Sequence, residues 1–474
     1  MAEKFTLSPD QVEAIDKAFA AIRTKRWACI AGPAGSGKTS VMAEVIERWE
    51  SKGNNVLLFS PTGVAAKRLS EQTGENAVTI HCGFYGKPEK EEELILPGEK
   101  RKRITLKFGP PHPPIGCDIG TLVIIDEFSM CNEELVAVIK QQVFSAGGSL
   151  LFIGDHEQIG PVEGTWGIQK QDISAHLTTI HRQEEGSDLL DLVTCIRENR
   201  MGQFTAWGSS VQRISKATIE QAVAWFEEGR EADIFMKFAS LEDRAKNKNP
   251  SRVLITWTND VRIRANALVR ETRNYPKACV QKGETLICTA NNHQLGIMNG
   301  EGFEVASVEP CRELSEAIGA TVQWVTEEPF MPGRARKFLV LPQAFDVRHP
   351  QLTDRSLVRE AWKPLWVKAR PEDPEDKNTS AVLCKRMGWG KADLQNWRDT
   401  AGQYSLQATW GYCRTAHRSQ GDQWSEIGFL SCPGFRRMRD PDERKRLIYT
   451  ITSRGELGFV AFILEDTVQA GTQW

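Results

Sequence analysis

Short, continuous apolar runs alternate with amphipathic segments through the first third of the chain. Such runs are typical of strands buried on both faces of a sheet. They occur at residues 27–32, 55–61, 121–126 and 149–155. After the first run, SVMAEVIERWESKG places its apolar residues at helical spacing and stops at Gly53, and residues 132–144 show the same period. Strands that alternate with helices predict an α/β domain with a mostly parallel sheet.

A second alternating block begins near Ser187, a predicted N-cap residue that precedes apolar positions at helical spacing. It continues with a strand, a turn and a helix over residues 251–273, and a similar pattern resumes in the last part of the chain. Residues 296–400 differ, because they contain β-hairpin-like runs, the turn dipeptide Asn299-Gly300 and a polar loop with prolines. We therefore predict a β-rich module inserted into a second α/β domain.

The composition excludes some classes of protein. With 474 residues, 40% hydrophobic and 26% charged residues and a net charge of −2, the chain has an ordinary globular composition and no overall basic character. A local basic groove is still compatible with this net charge, because the net charge does not show how the charges are distributed. The first residues contain no apolar core of a signal peptide, and no apolar run has membrane-spanning length. The 11 cysteines are dispersed without a C-x-x-C pair, so we expect reduced thiols, no zinc site and a cytoplasmic location.

The sharpest chemical motif is a phosphate-binding loop. Its residues are Gly32, Pro33, Ala34, Gly35, Ser36, Gly37, Lys38 and Thr39. The loop follows an apolar strand and opens an amphipathic helix, which is the context that the pattern G-x-x-x-x-G-K-[ST] requires. Its glycines let backbone N–H groups point at phosphate oxygens, and the helix dipole adds positive potential. We expect Lys38 to reach the β- and γ-phosphates of ATP and Thr39 to ligate Mg²⁺.

Polar residues follow two further buried strands. Asp126 suits a carboxylate ligand of Mg²⁺, and Glu127 suits a base that orients and activates the attacking water. A switch that only binds nucleotide does not need the second carboxylate, so this pair favours hydrolysis. Asp155 and Gln158 are placed to sense the γ-phosphate, with a polar turn after a strand as the alternative.

Eight blocks occur in the order found in superfamily 1 DNA helicases, and they most resemble the RecD/Dda branch of superfamily 1B. The blocks are GPAGSGKT (32–39), SPTGVAAKRL (60–69), TIH (79–81), DEFSM (126–130), GDHEQIGPV (154–162), HRQ (181–183), TAHRSQG (415–421) and YTITSRG (449–455). The resemblance implies two RecA-like P-loop domains with ATP between them and single-stranded DNA across their top. It implies an ATP-dependent helicase that moves 5′ to 3′ as a monomer. Forked duplex DNA and proteins of replication, recombination or repair would be its partners.

The resemblance also assigns roles to individual residues. Gln11 matches the residue that reads adenine, and Gln158 matches the residue that couples the γ-phosphate to movement. Arg182 and Arg454 match two arginines that stabilise charge on the transferred phosphoryl group. A guanidinium can supply this charge across a domain cleft. For either arginine alone, a surface cation is the alternative.

Six residues match contacts to the backbone and sugars of DNA in this family. They are Pro61, Thr62, Thr79, His81, Thr415 and His417. Hydroxyl and imidazole groups contact phosphate without reading sequence, so we expect little sequence preference and a marked salt dependence. A packed loop histidine is the alternative for His81.

The resemblance divides the chain into an ATPase domain over residues 1–185 and a second RecA-like domain over 186–295 and 401–474. A β-hairpin, the pin of this family, would lie within 84–118, and an SH3-like module would occupy 296–400. These boundaries are predictions from motif order and from the change of pattern described above.

The predicted pin is the stretch ELILPGEKRKRITLKF, residues 93–108. Its apolar positions alternate as in two hairpin strands, and they are Leu94, Leu96, Ile104 and Leu106. A Pro97-Gly98 pair supplies the turn, and the basic residues that follow can meet phosphates at a fork. A solvated, charge-rich loop is the alternative.

The residues leave two other functions open. One is a single-stranded DNA-binding subunit whose nucleotide site only gates affinity. The other is a translocase that displaces proteins from DNA but opens duplexes poorly. RNA as the substrate is a lesser variant, because no residue here indicates contact with a 2′-hydroxyl.

Overall fold

The computed structural model describes most of the chain outside one long segment. The described residues are 7–86, 89–94, 102–161, 163–180, 187–208, 210–236, 252–277, 279–289, 291–292, 295–312, 315, 321–328, 335–342, 345, 406–420 and 422–464. Within them, the helices are α1 (Pro9–Lys25), α2 (Lys38–Glu50), α3 (Gly63–Thr73), α4 (Ile80–Tyr85), α5 (Glu133–Ser145), α6 (Asp188–Arg197), α7 (Ile219–Met236), α8 (Asn259–Thr272), α9 (Pro433–Arg436) and α10 (Pro441–Thr452).

The strands of the described residues fall into three sheets and one hairpin. Those of the first half are β1 (Trp27–Ala31), β2 (Val56–Ser60), β3 (Ala77–Thr79), β4 (Glu89–Leu94), β5 (Lys102–Lys107), β6 (Leu122–Ile125), β7 (Ser149–Gly154) and β8 (Ala175–His176). Those of the second half are β9 (Val211–Ala217), β10 (Arg252–Thr256), β11 (Thr285–Cys288), β12 (Gly302–Pro310), β13 (Gln323–Glu327), β14 (Lys337–Val340), β15 (Ala408–Trp410), β16 (Cys413–Thr415), β17 (Trp424–Ser431) and β18 (Gly455–Leu464).

The first sheet is parallel and has the strand order β3-β2-β6-β7-β1-β8. The four strands predicted from apolar runs are confirmed as β1, β2, β6 and β7. Both faces of this sheet are covered, by α1, α2 and α3 on one side and by α4 and α5 on the other. Because all six strands are parallel, the loops after their carboxyl ends share one edge. This edge therefore carries the phosphate loop and the acidic residues of the sequence motifs.

An antiparallel hairpin, β4 and β5, lies between α4 and β6. Its first strand begins earlier than the sequence predicted, at Glu89 rather than Glu93. The register sets Glu89 opposite Lys107 and Glu93 opposite Arg103. This strand has no apolar face, which is why hydrophobic alternation did not detect it. The predicted turn, with Leu96, lies outside the described residues.

The second sheet is also parallel, with the order β16-β10-β17-β18-β9. The predicted helix after Ser187 is confirmed as α6, and the Ser187 side chain accepts a hydrogen bond from the Leu190 N–H as an N-cap. The strand β9 and the helix α7 had no counterpart among the sequence predictions. The outer strand β9 buries only its two end residues, Val211 and Ala217, so it lacks the apolar run of the inner strands.

The third sheet is antiparallel, with the order β14-β13-β12-β11-β15. Its strands β12, β13 and β14 confirm the first part of the predicted β-rich range 296–400, of which residues 346–400 lie outside the described residues. The sheet also extends to β11 and β15, which lie outside the predicted range. Buried residues of this sheet and of the second sheet belong to one continuous apolar cluster. The two sheets therefore share a core, while the SH3-like character of the module stays a prediction.

Two neighbouring residues of α3 connect the first sheet to the other two. The Lys67 Nζ lies 2.7 Å from Glu301 Oε1, immediately before β12. The Arg68 Nη2 lies 2.9 Å from Asp422 Oδ1, just before β17. One helix therefore makes ion pairs to both the antiparallel and the second parallel sheet.

The described cysteines are all free thiols. Among the described residues, no helix is both long enough and apolar enough to cross a bilayer.

Candidate functional site

The phosphate loop connects β1 to α2 at the carboxyl edge of the first sheet. Gly35 and Gly37 have φ angles of 82° and 75°, a conformation that residues with a side chain rarely adopt. A Cβ atom on Gly32 would lie 2.5 Å from a side-chain oxygen within the loop. The Lys38 Nζ donates to the carbonyl oxygens of Gly32, at 3.0 Å, and Pro33, at 2.9 Å. Oxygens of a bound phosphate can replace these two acceptors of the Lys38 ammonium, so the loop fits the triphosphate group of a nucleoside triphosphate.

Gln11 contacts the same loop from α1, with 4% of its surface exposed. Its Oε1 accepts from the Ser8 N–H at 3.0 Å, and this bond is part of the capping box of α1. Its Nε2 donates to the Ser36 carbonyl oxygen at 3.1 Å. Both polar ends of the side chain therefore contact protein atoms, and Gln11 ties the first helix to the phosphate loop. The adenine contact implied by the resemblance stays a prediction.

Asp126 and Glu127 follow β6 on the same edge. The Asp126 N–H donates to the Phe59 carbonyl oxygen at 2.9 Å, which extends the ladder between β6 and β2 past the end of the strand. Glu127 has φ 53° and ψ 46°, the left-handed region that costs a residue with a side chain about 1–3 kcal/mol. The backbone therefore turns sharply between the two carboxylates, and such strain is concentrated at functional sites.

The two neighbouring carboxyl groups at this edge favour the binding of a cation. Desolvation, followed by the negative charge of Glu127, raises the pKa of the Asp126 carboxyl, while the Lys38 ammonium lowers it. The Thr39 hydroxyl, in the first turn of α2, lies 3.4 Å from Gln72 Oε1. Hydroxyl and carboxylate oxygens are the donors that Mg²⁺ prefers, with phosphates and water completing its shell. The donor set of Thr39 and Asp126 fits this ion. No cluster of three His, Cys, Asp or Glu side chains suited to a metal occurs in the part of the chain that the structure describes.

The loop after β7 carries Asp155 and Gln158, both almost fully buried. The Asp155 Oδ1 accepts the Glu157 N–H at 3.1 Å. Its Oδ2 accepts the hydroxyl of Tyr449 at 2.7 Å. Because Tyr449 lies on α10, this bond joins the edge of the first sheet to the second parallel sheet.

Two more hydrogen bonds join α10 to this loop. The Ile159 N–H donates to the Thr450 Oγ1 at 2.9 Å, and the Lys445 Nζ donates to Glu157 Oε2 at 2.9 Å. The loop that carries Gln158 thus follows a strand of the first sheet and is hydrogen-bonded to a helix of the second half of the chain. A nucleotide in the phosphate loop would lie at the boundary between the two parallel sheets.

The two predicted arginines have different outcomes. Arg454 follows α10 and is 4% exposed. Its Nε donates to the Thr450 carbonyl oxygen at 3.1 Å, and its Nη2 lies 3.4 Å from Ser453 Oγ. The guanidinium therefore packs along its own helix, in the element that also contacts the loop after β7. Arg182 lies outside the described residues.

The DNA-contact candidates of the first half lie at the same edge as the phosphate loop. Pro61 and Thr62 follow β2, and Thr79 ends β3. Thr62 and Thr79 are N-caps, whose hydroxyls accept from the Ala65 N–H at 3.2 Å and the Cys82 N–H at 3.4 Å. The N-termini of α3 and α4 carry positive partial charge, which suits phosphate groups.

His81 lies beside the base of the hairpin. Its ring stacks on Tyr85, with centroids 5.8 Å apart, and tilts against Phe108, with centroids 5.2 Å apart. No prediction from the sequence assigned a role to Tyr85 or Phe108. The structure brings them together with His81 into one cluster.

The candidates of the second half lie at the end of β16 and just after it. Thr415 is 9% exposed and precedes a short 3-10 turn that contains His417. The His417 ring packs on Trp257, with centroids 5.1 Å apart, and burial lowers the pKa of His417. Trp257 follows β10 and was not predicted. The sequence feature that could have identified Trp257 is its position in TWTND, between a predicted strand and a predicted helix.

Comparisons with known proteins agree with the order of motifs. Residues 6–233, slightly less than half of the chain, match a family model described as an AAA domain. A RecD2 DNA helicase of Deinococcus radiodurans is 27% identical over 217 residues, covering 45% of this chain and 26% of that protein. The Dda DNA helicase of Enterobacteria phage T4 is 28% identical over 204 residues, covering 41% of this chain and 43% of that protein.

The matches therefore span less than half the length of these curated relatives. Among solved structures, a Pif1 helicase from Bacteroides in complex with ADP-AlF3 and single-stranded DNA aligns with 98% of this chain and 95% of its own. Its sequence identity is 16% and the TM-score is 0.49.

Proposed function

We propose that this chain, a homologue of the RecD2 and Dda DNA helicases, is an ATP-dependent, 5′-to-3′ translocase on single-stranded DNA that separates duplex strands. The observation that carries this proposal is the docking of α10 on the loop after β7. This contact joins a helix of the second parallel sheet to the edge of the first sheet that also carries the phosphate loop. A change at the nucleotide can therefore become a relative movement of two domains.

The chemistry of the site follows from its own side chains. Glu127, at the turn after β6, is the base that takes a proton from the attacking water. Lys38 and the loop N–H groups bind the phosphate oxygens and stabilise the charge that develops on them. Thr39 and Asp126 would hold Mg²⁺, which supplies further neutralisation of phosphate charge. Gln158, Arg454 and Arg182 are proposed to respond to the γ-phosphate.

Movement requires that hydrolysis change a contact between the domains. The side chain of Arg454 lies next to Thr450, which bonds the loop after β7. A γ-phosphate that draws Arg454 away from its own helix would pull on this connection, and loss of the phosphate would release it. A guanidinium delivered in this way both stabilises the transition state and reports domain closure.

Single-stranded DNA is proposed to cross the carboxyl edges of both parallel sheets. In the first domain it would meet Pro61, Thr62, Thr79 and His81, and in the second Thr415 and His417. The two helix N-termini near Thr62 and Thr79 provide phosphate contacts that carry no sequence information. We retain the division at residues 185, 295 and 400 as a proposal, in which the inserted module contributes β12, β13 and β14 to the third sheet.

A cytoplasmic location is proposed from the free thiols, which indicate a reducing compartment. Forked duplex DNA and proteins of replication or recombination are the proposed partners. We propose a monomer as the working form.

Unwinding of tailed duplexes tests the proposed function. We expect single-stranded DNA to stimulate ATP hydrolysis and a 5′-tailed duplex to be opened in preference to a 3′-tailed one. A preference for the 3′ tail would overturn the direction. Stimulated hydrolysis that displaces bound protein but opens neither duplex would favour the protein-displacing translocase, and absence of hydrolysis would favour the nucleotide-gated binding subunit.

The hairpin gives a separate prediction. Replacement of residues 96–101 by a short Gly-Ser turn should leave the paired strands β4 and β5 in place but remove the tip. If the hairpin separates base pairs, the unwinding rate should fall about tenfold, the factor equivalent to one stacking step of about 1.4 kcal/mol. The DNA-stimulated ATPase of the same variant is the control and should stay unchanged. Unaltered unwinding would mean that the tip is only a surface loop.

A further inference from the structure

The hydroxyl of Tyr449 joins the second domain to a loop of the nucleotide site. Tyr449 belongs to α10 and is fully buried. It donates to Asp155 Oδ2 at 2.7 Å, in the loop after β7. This loop lies at the same sheet edge as the phosphate loop, because β7 and β1 are parallel neighbours.

Asp155 determines how its loop presents Gln158. Its Oδ1 accepts the Glu157 N–H at 3.1 Å, which closes a tight turn between the two residues. The Gln158 Nε2 also donates to this Oδ2, at 3.5 Å, the limit of a hydrogen bond. Because a carboxylate oxygen can accept two donors, Tyr449 and Gln158 share it, and the shorter bond from Tyr449 fixes the carboxylate that the Gln158 amide contacts.

The hydroxyl of Tyr449 keeps its proton. Burial, followed by the negative charge of Asp155, raises the pKa of Tyr449 well above its usual range. The side chain is thus a permanent donor at neutral pH. Asp155 is 1% exposed, so water cannot readily replace a donor that is removed.

We propose that Tyr449 is a positioning residue for ATP hydrolysis. Its hydroxyl holds the Asp155 carboxylate when α10 docks, and this carboxylate orients the Gln158 amide toward the γ-phosphate. This inference rests on the proposed function, because it assigns one more residue to the same site. It also explains why the contact comes from the other domain: Gln158 is oriented only when the two domains are together.

The test is Tyr449→Phe, with Tyr412→Phe as a matched control. Tyr412 is also buried in the second half and donates its hydroxyl to a buried carboxylate, Glu284 Oε1, at 2.6 Å. We expect both variants to lower the melting temperature by a similar amount. Only Tyr449→Phe should lower the kcat of DNA-stimulated hydrolysis, by about tenfold, with the KM for ATP changed less than about twofold.

A second variant keeps the inference testable if Tyr449→Phe does not fold. Asp155→Asn leaves one acceptor oxygen for the two donors, Tyr449 and the Glu157 N–H, so we expect its kcat to fall in the same direction. The double variant should fall no further than the slower single variant, because the two residues act through one bond. A wild-type kcat in Asp155→Asn would overturn the proposal.

The outcomes separate this inference from the proposed function. If the unaltered protein shows no DNA-stimulated hydrolysis, the proposed function fails. If it is stimulated, but Tyr449→Phe has the same kcat as Tyr412→Phe, the positioning role is wrong. An increase in KM at constant kcat would also overturn it, because Tyr449 would then contribute to binding and not to the presentation of Gln158.

Discussion

Replacement of Lys38 by Ala is expected to lower ATP turnover by about a hundredfold or more, with or without single-stranded DNA. The Lys38 ammonium already lies inside the phosphate loop, bonded to the carbonyl oxygens of Gly32 and Pro33. Phosphate oxygens that replace these acceptors gain a full positive charge close to the bond that breaks. Its removal takes away both an anchor for ATP and a stabiliser of the transition state. Phosphate release under saturating ATP, compared with nucleotide binding at equilibrium, measures the two effects separately.

The matched control is Lys17→Ala. Lys17 is an exposed lysine of α1, paired with Glu13 one helical turn away, and pairs of this kind contribute only about 0.5 kcal/mol. Turnover of this control should equal that of the unaltered protein. Retention of ordinary turnover in Lys38→Ala would mean that hydrolysis, if present, takes place elsewhere in the chain.

The second large effect is expected from Glu127→Gln. Gln has nearly the same shape but cannot accept the proton of the attacking water, so kcat should fall by about two to four orders of magnitude. The affinities for ATP and for single-stranded DNA should be kept, because the phosphate loop and the helix N-termini are unchanged. Single-turnover hydrolysis on saturating DNA is the measurement, together with the binding of a fluorescent nucleotide.

Glu134→Gln, on the exposed face of α5, provides the control for the loss of one carboxylate. If Glu127→Gln and the unaltered protein released phosphate at the same slow rate, the nucleotide site would only gate DNA affinity. The non-enzymatic function left open by the sequence would then be favoured. A large difference between the two would favour hydrolysis with Glu127 as the base.

The inner strands of the parallel sheets could be predicted from the sequence, because burial on both faces demands continuous apolar runs. The strand β4 could not be predicted in the same way. Its residues are mainly glutamates, so it contains no apolar run that marks a strand in the sequence. The partner of each residue, such as Lys107 for Glu89, is known only from the register.

The candidate site was predictable where one motif carries the chemistry. The phosphate loop and Asp126 lie at one sheet edge because each follows a strand of the same parallel sheet. Tyr449 was not found, because a tyrosine at helical spacing among apolar residues is indistinguishable from a core residue. Its partner, Asp155, is distant in the chain, and only folding brings the carboxylate to the hydroxyl. The same reason hides the ion pairs of Lys67 and Arg68.

These ion pairs of α3 change how a salt titration of DNA binding should be interpreted. Lys67 and Arg68 are 41% and 33% exposed in their side chains, so dissolved ions screen both pairs. The helix that they hold begins beside Thr62, a proposed phosphate contact. Added salt would thus weaken the two ion pairs that hold α3, and it would also oppose the release of counterions that accompanies DNA binding. The slope of log affinity against log salt concentration would then be steeper than the phosphate contacts alone predict. Part of it would come from ion pairs within the protein that do not contact nucleic acid.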